Sequence, residues 1–220
     1  MTVKEGLEAV EARIVAACAR AGRPREEVEL IAVSKLHPAA RIREAYAAGQ
    51  RLFGENYAQE LRDKAEELSP LPGLRWHAIG PLQANKAKYV AKSAHAFHAL
   101  DRLEIATELS RRRTGTPLRC YLQVNVAAED SKSGVAPSEV ETLAAQVRAL
   151  PGLELVGLMA LPPLAETVEG LRRPFRTLRA LGERLGLGGL SMGTTHDFEV
   201  AIEEGATAVR VGTAIFGERP

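Results

Sequence analysis

Lys35 ends a compact apolar run, Ile31-Ala-Val-Ser-Lys35. A lysine at the end of a buried strand can have its amine drawn into a desolvated site, where it becomes a nucleophile able to form a Schiff base with an aldehyde. A solvated lysine at a strand–loop junction fits the position equally well. A second group of chemistry-bearing residues lies near the C-terminus, in Leu190-Ser-Met-Gly-Thr-Thr-His-Asp197 and Ala208-Val-Arg-Val-Gly-Thr-Ala-Ile-Phe-Gly217. Gly193 and Gly212 let backbone amides approach an anion, and Ser191, Thr194, Thr195 and Thr213 add hydroxyl donors. A helix opening near Thr195 points its free N–H groups at the same place, which suits a phosphate. Thr194 with Asp197 also matches a capping box, so plain N-capping is the alternative. Arg210 stands between two apolar residues and needs a partner, either a ligand acceptor or a glutamate such as Glu203 or Glu204. Asn56, in Arg51-Leu-Phe-Gly-Glu-Asn-Tyr57, can donate to a phenolate or phosphate oxygen or cap a helix. Met159 is expected to pack on whatever fills the site.

These residues need a scaffold that gathers strand ends. Strand candidates are Leu30–Lys35, Arg51–Gly54, Trp76–Ile79, His95–Ala99, Leu118–Val124, Leu155–Met159, Leu190–Met192 and Ala208–Val211. A helix over Val3–Arg20 precedes the first strand, and a second runs from Pro38 to Gly49. Further helices are expected near 57–68, 83–92, 101–113, 138–149, 165–186 and 195–204, with Ser138 and Glu141 as a capping box. Eight strands alternating with helices imply parallel pairing and a closed (β/α)₈ barrel, with a doubly wound open sheet as the alternative. In a barrel, Lys35 faces the mouth after strand one. The two Gly/Thr loops follow strands seven and eight, where barrels commonly hold phosphate. No Gly/Pro/Ser-rich linker divides the chain, so one barrel domain over residues 1–220 is expected.

Composition narrows the function. The chain has 220 residues, 45% apolar and 26% charged, with a net charge of +1. Nothing in that balance draws it to nucleic acid or anionic membrane. The run Arg111-Arg112-Arg113 suits a helix C-terminus. Cys18 and Cys120 form no CxxC, so neither a disulfide framework nor a zinc knuckle is expected, and a reducing compartment fits. The N-terminus lacks a signal-peptide core and no apolar run spans a bilayer, so the expected location is cytoplasmic. The five histidines lack HxxxH or HxH spacing, which argues against a metal site, and His77 reads as structural. Neither dinucleotide nor nucleotide-triphosphate motifs occur.

Taken together, Ile31-Ala-Val-Ser-Lys35, Phe53-Gly-Glu-Asn56, Trp76-His-Ala-Ile-Gly80 with Leu82-Gln-Ala-Asn-Lys86, Ser131-Lys-Ser-Gly134, Gly157-Leu-Met159, Leu190-Ser-Met-Gly193 and Val209-Arg-Val-Gly212 with Ile215-Phe-Gly217 resemble the YggS/PROSC family. These are pyridoxal phosphate homeostasis proteins related to the N-terminal barrel of alanine racemase. The resemblance covers residues from about Val3 to Phe216. It implies a fold-type III barrel that binds pyridoxal 5'-phosphate (PLP) as a Schiff base on Lys35. It also implies that Arg210 faces the pyridine nitrogen, and that Ser191, Gly193, Thr194, Thr195, Gly212 and Thr213 hold the phosphate. The sequence departs from the family at Thr194-Thr195, which replaces Met-Ser but keeps hydroxyl capacity, at Ala78, where a bulky aromatic is usual, and at Pro81.

Because the chain stops directly after the barrel, a second domain with a second acid/base residue is not expected. A homeostasis protein that holds and passes on PLP, with apo-PLP enzymes as recipients and no robust turnover, is the expected function; the expected state is a monomer. Two alternatives remain: a narrow amino-acid racemase, needing a base such as Tyr57 or His77 opposite Lys35, and an aldolase-like barrel using Lys35 without PLP.

Overall fold

The computed structural model describes residues 2–126, 133–162 and 167–218. Eight strands run β1 (Glu29–Val33), β2 (Leu52–Glu55), β3 (Arg75–Ala78), β4 (Ala96–Leu100), β5 (Leu118–Gln123), β6 (Leu153–Met159), β7 (Gly189–Thr194) and β8 (Ala208–Val211). Each pairs in parallel with the next, and β1 pairs with β8 through Glu29↔Ala208 to Ala32↔Val211, closing the barrel. The open-sheet alternative is thereby excluded. The helices are α1 (Val3–Arg20), α2 (Ala39–Ala47), α3 (Ala58–Glu67), α4 (Ala87–Ser93), α5 (Leu103–Arg112), α6 (Val140–Arg148), α7 (Val168–Leu185), α8 (Phe198–Glu203) and α9 (Thr213–Phe216). Parallel strands covered by helices bury both faces, and β4 is buried along its whole length.

Local chemistry sets the element ends. Gly22 and Gly49, just beyond α1 and α2, take positive φ values of 63° and 101°, conformations that cost glycine little. The capping box lies at Thr2–Glu5: Glu5 N donates to Thr2 Oγ1, and Thr2 N donates to Glu5 Oε2. The expected Ser138–Glu141 box does not form, because α6 starts at Val140 with Glu139 in the cap position and no side-chain bond. Arg113 follows α5 and donates to the carbonyls of Ala91 and Ala94, at the negative end of α4. The expected 195–204 helix is shortened to Phe198–Glu203 by a turn over residues 195–197. The short α9 was not anticipated. Ser131 and Lys132 of the fourth motif, and residues 165–166 of the expected seventh helix, lie outside the described residues.

Candidate functional site

The C-terminal strand ends surround a cavity of about 180 Å³. Its wall takes Val33, Lys35 and His37 from β1 and the turn after it, Asn56 after β2, Ile79 after β3 and Leu161 after β6. Thr194, Thr195, Arg210, Gly212 and Thr213 come from β7, β8 and the segments that follow them. Lys35, Asn56, Thr194, Thr195, Arg210, Gly212 and Thr213 are thus brought together. Val33 ends the strand, and Lys35 and His37 reach the wall from the turn over residues 34–37, which the bond from the His37 amide to the Ser34 carbonyl closes at 3.1 Å.

Two expected ligand residues are not on the wall. Ser191 is fully buried behind Arg210 and accepts from its Nη1 at 2.5 Å. Gly193 has φ +95°, and a Cβ there would stand 2.8 Å from Phe198 Cα and 2.7 Å from Ala201 Cβ. Its glycine answers the close approach of α8. Met159 is also completely buried in the core, off the cavity wall.

The donors of Thr194 are engaged within the protein: its amide and hydroxyl both donate to Asp197 Oδ1, at 2.6 and 3.0 Å. Only the carboxylate half of the expected capping box therefore forms. Thr195, Gly212 and Thr213 are the other Gly and Thr residues on the wall. Asn56 does not cap α3, whose cap position is Tyr57 without a side-chain bond. Asn56 also lines a second cavity, with Tyr57, Gln83, Lys86 and Arg102.

Arg210 has no ion-pair partner among the described residues. Glu204 pairs instead with Arg172, Arg176 and Arg179, and Glu203 with Arg20 and Arg172. Burial pushes the Arg210 guanidinium down to about 10, while Asp197 pulls it up. It remains a cation at neutral pH, held by Ser191 Oγ and by the Ala160 carbonyl at 3.0 Å. A buried, unpaired cation on a cavity wall favours a ligand with electron-rich acceptors.

Behind Arg210 a polar chain runs through the barrel. Ser191 Oγ lies 2.8 Å from His98 Nδ1, and His98 Nε2 lies 2.9 Å from His77 Nδ1. Both rings are wholly buried, and His98 stacks on Tyr121 at 4.3 Å. The Ser191 hydroxyl accepts from Arg210 and keeps one proton and one lone pair, so it can face either neutral tautomer of His98. Across the Nε2–Nδ1 contact one histidine donates and the other accepts. His77 Nε2 has no hydrogen-bond partner among the described residues. Burial, with nearby cations, holds His98 well below the usual range and His77 at about 3. His77 is thus a core residue, which removes it as a base facing Lys35.

A pH dependence follows. Both histidines have folded pKa values below their unfolded ones, so their contribution is complete above about 6.5 and is lost as pH falls. Each should remove up to about 1.4 kcal/mol per pH unit below that point. Glu55, whose folded value is raised to about 7 by burial, acts in the opposite sense between about 4.5 and 7. Urea denaturation at several pH values should therefore show acid destabilisation that is shallower by about one proton in His77→Phe. An unchanged slope would mean that His77 is not neutral in the native state.

Sequence reading missed His37, Ile79 and Leu161 on the wall, and a buried ionic group behind it made of Glu55, Lys64 and Glu60. Among the described residues, no cluster of His, Cys, Asp and Glu could hold a metal ion, and no helix is long and apolar enough to cross a membrane. Cys18 and Cys120 are buried and unpaired with each other.

The family model for the N-terminal domain of alanine racemase matches residues 6–220. The chain is similar to the pyridoxal phosphate homeostasis protein of Pseudomonas aeruginosa, at 51% identity over 223 residues, covering 99% of this chain and 96% of that one. It is 45% identical over 230 residues to the protein of the same name from Escherichia coli (strain K12), covering 99% and 97%. The solved structure of PipY from Synechococcus elongatus with PLP bound superposes with a TM-score of 0.84 at 37% identity, covering 98% of this chain and all of that one. Alanine racemase from Corynebacterium glutamicum shares the fold at a TM-score of 0.66 and 20% identity, this chain spanning 62% of its length. The chain is a member of the alanine racemase N-terminal domain family and, within it, of the YggS/PROSC family.

Proposed function

We propose that this chain binds PLP covalently through Lys35 and serves in PLP homeostasis, holding the cofactor and releasing it to apo-enzymes rather than turning over a substrate. The observation that carries the reading is the placement of Lys35 and the buried Arg210 on one cavity whose wall also includes Thr194, Thr195, Gly212 and Thr213. PLP supplies an aldehyde that condenses with a primary amine, forming a carbon–nitrogen double bond and releasing one water, and a pyridine ring that draws electrons from the attached group. Lys35 is the amine. Thr195, Gly212 and Thr213 suit the phosphate by residue type and position, and Asn56 suits a ring oxygen.

Facing the ring nitrogen, a donor-only group such as Arg210 would keep that nitrogen unprotonated and so weaken the ring as an electron sink. The titratable groups on the wall among the described residues are Lys35, His37 and Arg210. His37 follows Lys35 in the same turn, and its buried ring packs against Phe216, with centroids 5.2 Å apart. Tyr57 lines the neighbouring cavity. A two-base racemase therefore finds little support in this wall. The relatives' name, pyridoxal phosphate homeostasis protein, supports the same reading.

The test is to add PLP to the purified protein, reduce with borohydride, digest and weigh the peptides. The expected result is one pyridoxyl adduct, on the peptide containing Lys35. No adduct, or an adduct only elsewhere, would overturn the assignment, and the aldolase-like use of Lys35 would then be tested with simple aldehydes.

A further inference from the structure

The peptide groups on both sides of Lys35 are held from behind the cavity by one cluster. Ser34 Oγ donates to Glu55 Oε1 at 2.6 Å. Lys64 Nζ donates to the Ser34 carbonyl at 2.7 Å, to Glu55 Oε1 at 2.8 Å and to Glu60 Oε1 at 2.7 Å. The Leu36 amide donates to that same Glu60 oxygen at 2.6 Å. Every ammonium proton of Lys64 thus has an acceptor. Leu36 is the one non-glycine with positive φ among the described residues, at 65°. That conformation costs a branched side chain about 1 kcal/mol or more, so it persists only where the surroundings impose it. The bond from its amide to Glu60 is the restraint in view.

None of the three ionic residues lines the cavity. Glu55 is 1% exposed and Lys64 7%. Burying such a group gains little stability over apolar side chains of the same size, so its charges answer a geometric need. We propose that Lys64, with Glu55 and Glu60, is a positioning residue that fixes the backbone on either side of Lys35 and thereby sets where the Lys35 amine stands in the cavity. This inference rests on Lys35 being the attachment point.

The cluster also responds to pH. One ammonium serves two carboxylates, and burial pushes the Glu55 carboxyl up to about 7, against the pull of Lys64. The charged groups bearing on Glu55 are Lys64 and Glu60, both from α3; the residue just after β1 contributes the Ser34 hydroxyl, and β3 places Ala78 across the ladder. Above about 7 the carboxylate accepts strongly from Ser34 and Lys64, and below it the hold slackens.

The experiment compares wild type, Lys64→Met and Glu55→Gln by two readouts. The first is the rate at which added PLP becomes borohydride-trappable on Lys35 across about pH 6 to pH 9. The second needs no cofactor: hydrogen exchange of the amides around Leu36 and His37 in the apoprotein. Lys64→Met is expected to slow attachment by roughly tenfold or more and to speed exchange by a similar factor. Glu55→Gln is expected to lose the inflection that wild type shows near pH 7 and to keep the slower, low-pH rate. Wild-type exchange and attachment in both variants would overturn the proposal, as would faster exchange with unchanged attachment. If Lys64→Met does not fold, the nearly isosteric Glu55→Gln decides both arms. If wild type traps no PLP on Lys35, the covalent reading fails, and the exchange arm alone judges whether the cluster fixes this segment.

Discussion

Lys35→Ala should bind PLP at least about 100-fold more weakly than wild type, a loss of about 3 kcal/mol, and should retain none of it after borohydride treatment and denaturation. The substitution removes the amine on the cavity wall and leaves the rest of that wall in place. Lys35 lies in the turn after β1 and is half-buried, so no core side chain is lost. Apoprotein stability should stay within about 1 kcal/mol of wild type, since changes outside the core and its networks are small. Wild type saturated at 100 times its dissociation constant should gain about 2.7 kcal/mol from the cofactor, and the variant far less at the same concentration. Absorbance titration and thermal melts with and without PLP measure both quantities. A variant that still gives a reducible adduct would locate the attachment elsewhere.

Arg210→Met is expected to have the second largest effect, and on two quantities at once. Its guanidinium bonds Ser191 Oγ and the Ala160 carbonyl in the core. Removing a donor from two buried acceptors costs about 1–3 kcal/mol for each. Relief of charge burial offsets part of that, because an apolar side chain of similar length needs no solvation. A net loss of about 2 kcal/mol in apoprotein stability is the expected balance. Affinity for PLP should also fall by roughly 100-fold, since a desolvated cation on the wall is gone. Urea denaturation of the apoprotein and a cofactor titration separate the two. Unchanged affinity in a folded variant would remove Arg210 from the binding site.

The barrel itself was legible because its strands are short apolar runs bounded by turn residues. All eight fall within two residues of their expected limits. What failed was finer. Four-residue α9 is too short to show a helical period, and Ser138–Glu141 matched a capping pattern at a helix that begins elsewhere. Strand-end logic located Lys35, Asn56, Thr195, Gly212 and Thr213 on the wall. It did not anticipate that β7 runs on to Thr194, which leaves Ser191 buried inside the barrel rather than at its rim.

The clamp behind Lys35 had a readable trace. Leu61 and Lys64 share the buried stripe of α3, which Leu68 continues at the C-cap, and a lysine there demands a partner. Glu55 stands at the end of an otherwise apolar strand and asks the same question. The two were not linked because their meeting depends on how α3 folds back over β1 and β2. The histidine pair escaped for a similar reason: His77 and His98 lie 21 residues apart and meet only through barrel closure.

The serine–histidine chain behind Arg210 also constrains how the barrel can change. The two histidines share one proton across the Nε2–Nδ1 contact, so the tautomer of one sets the tautomer of the other. Changing one ring's tautomer alone would set two donors or two acceptors face to face. Substitutions at Ser191, His98 and His77 should therefore be non-additive: a residue that can only accept, or only donate, at one position is tolerated when the next position changes with it. The interior of this barrel thus changes as a single unit of inheritance from Arg210 to His77, although among these four residues Arg210 alone lines the cavity.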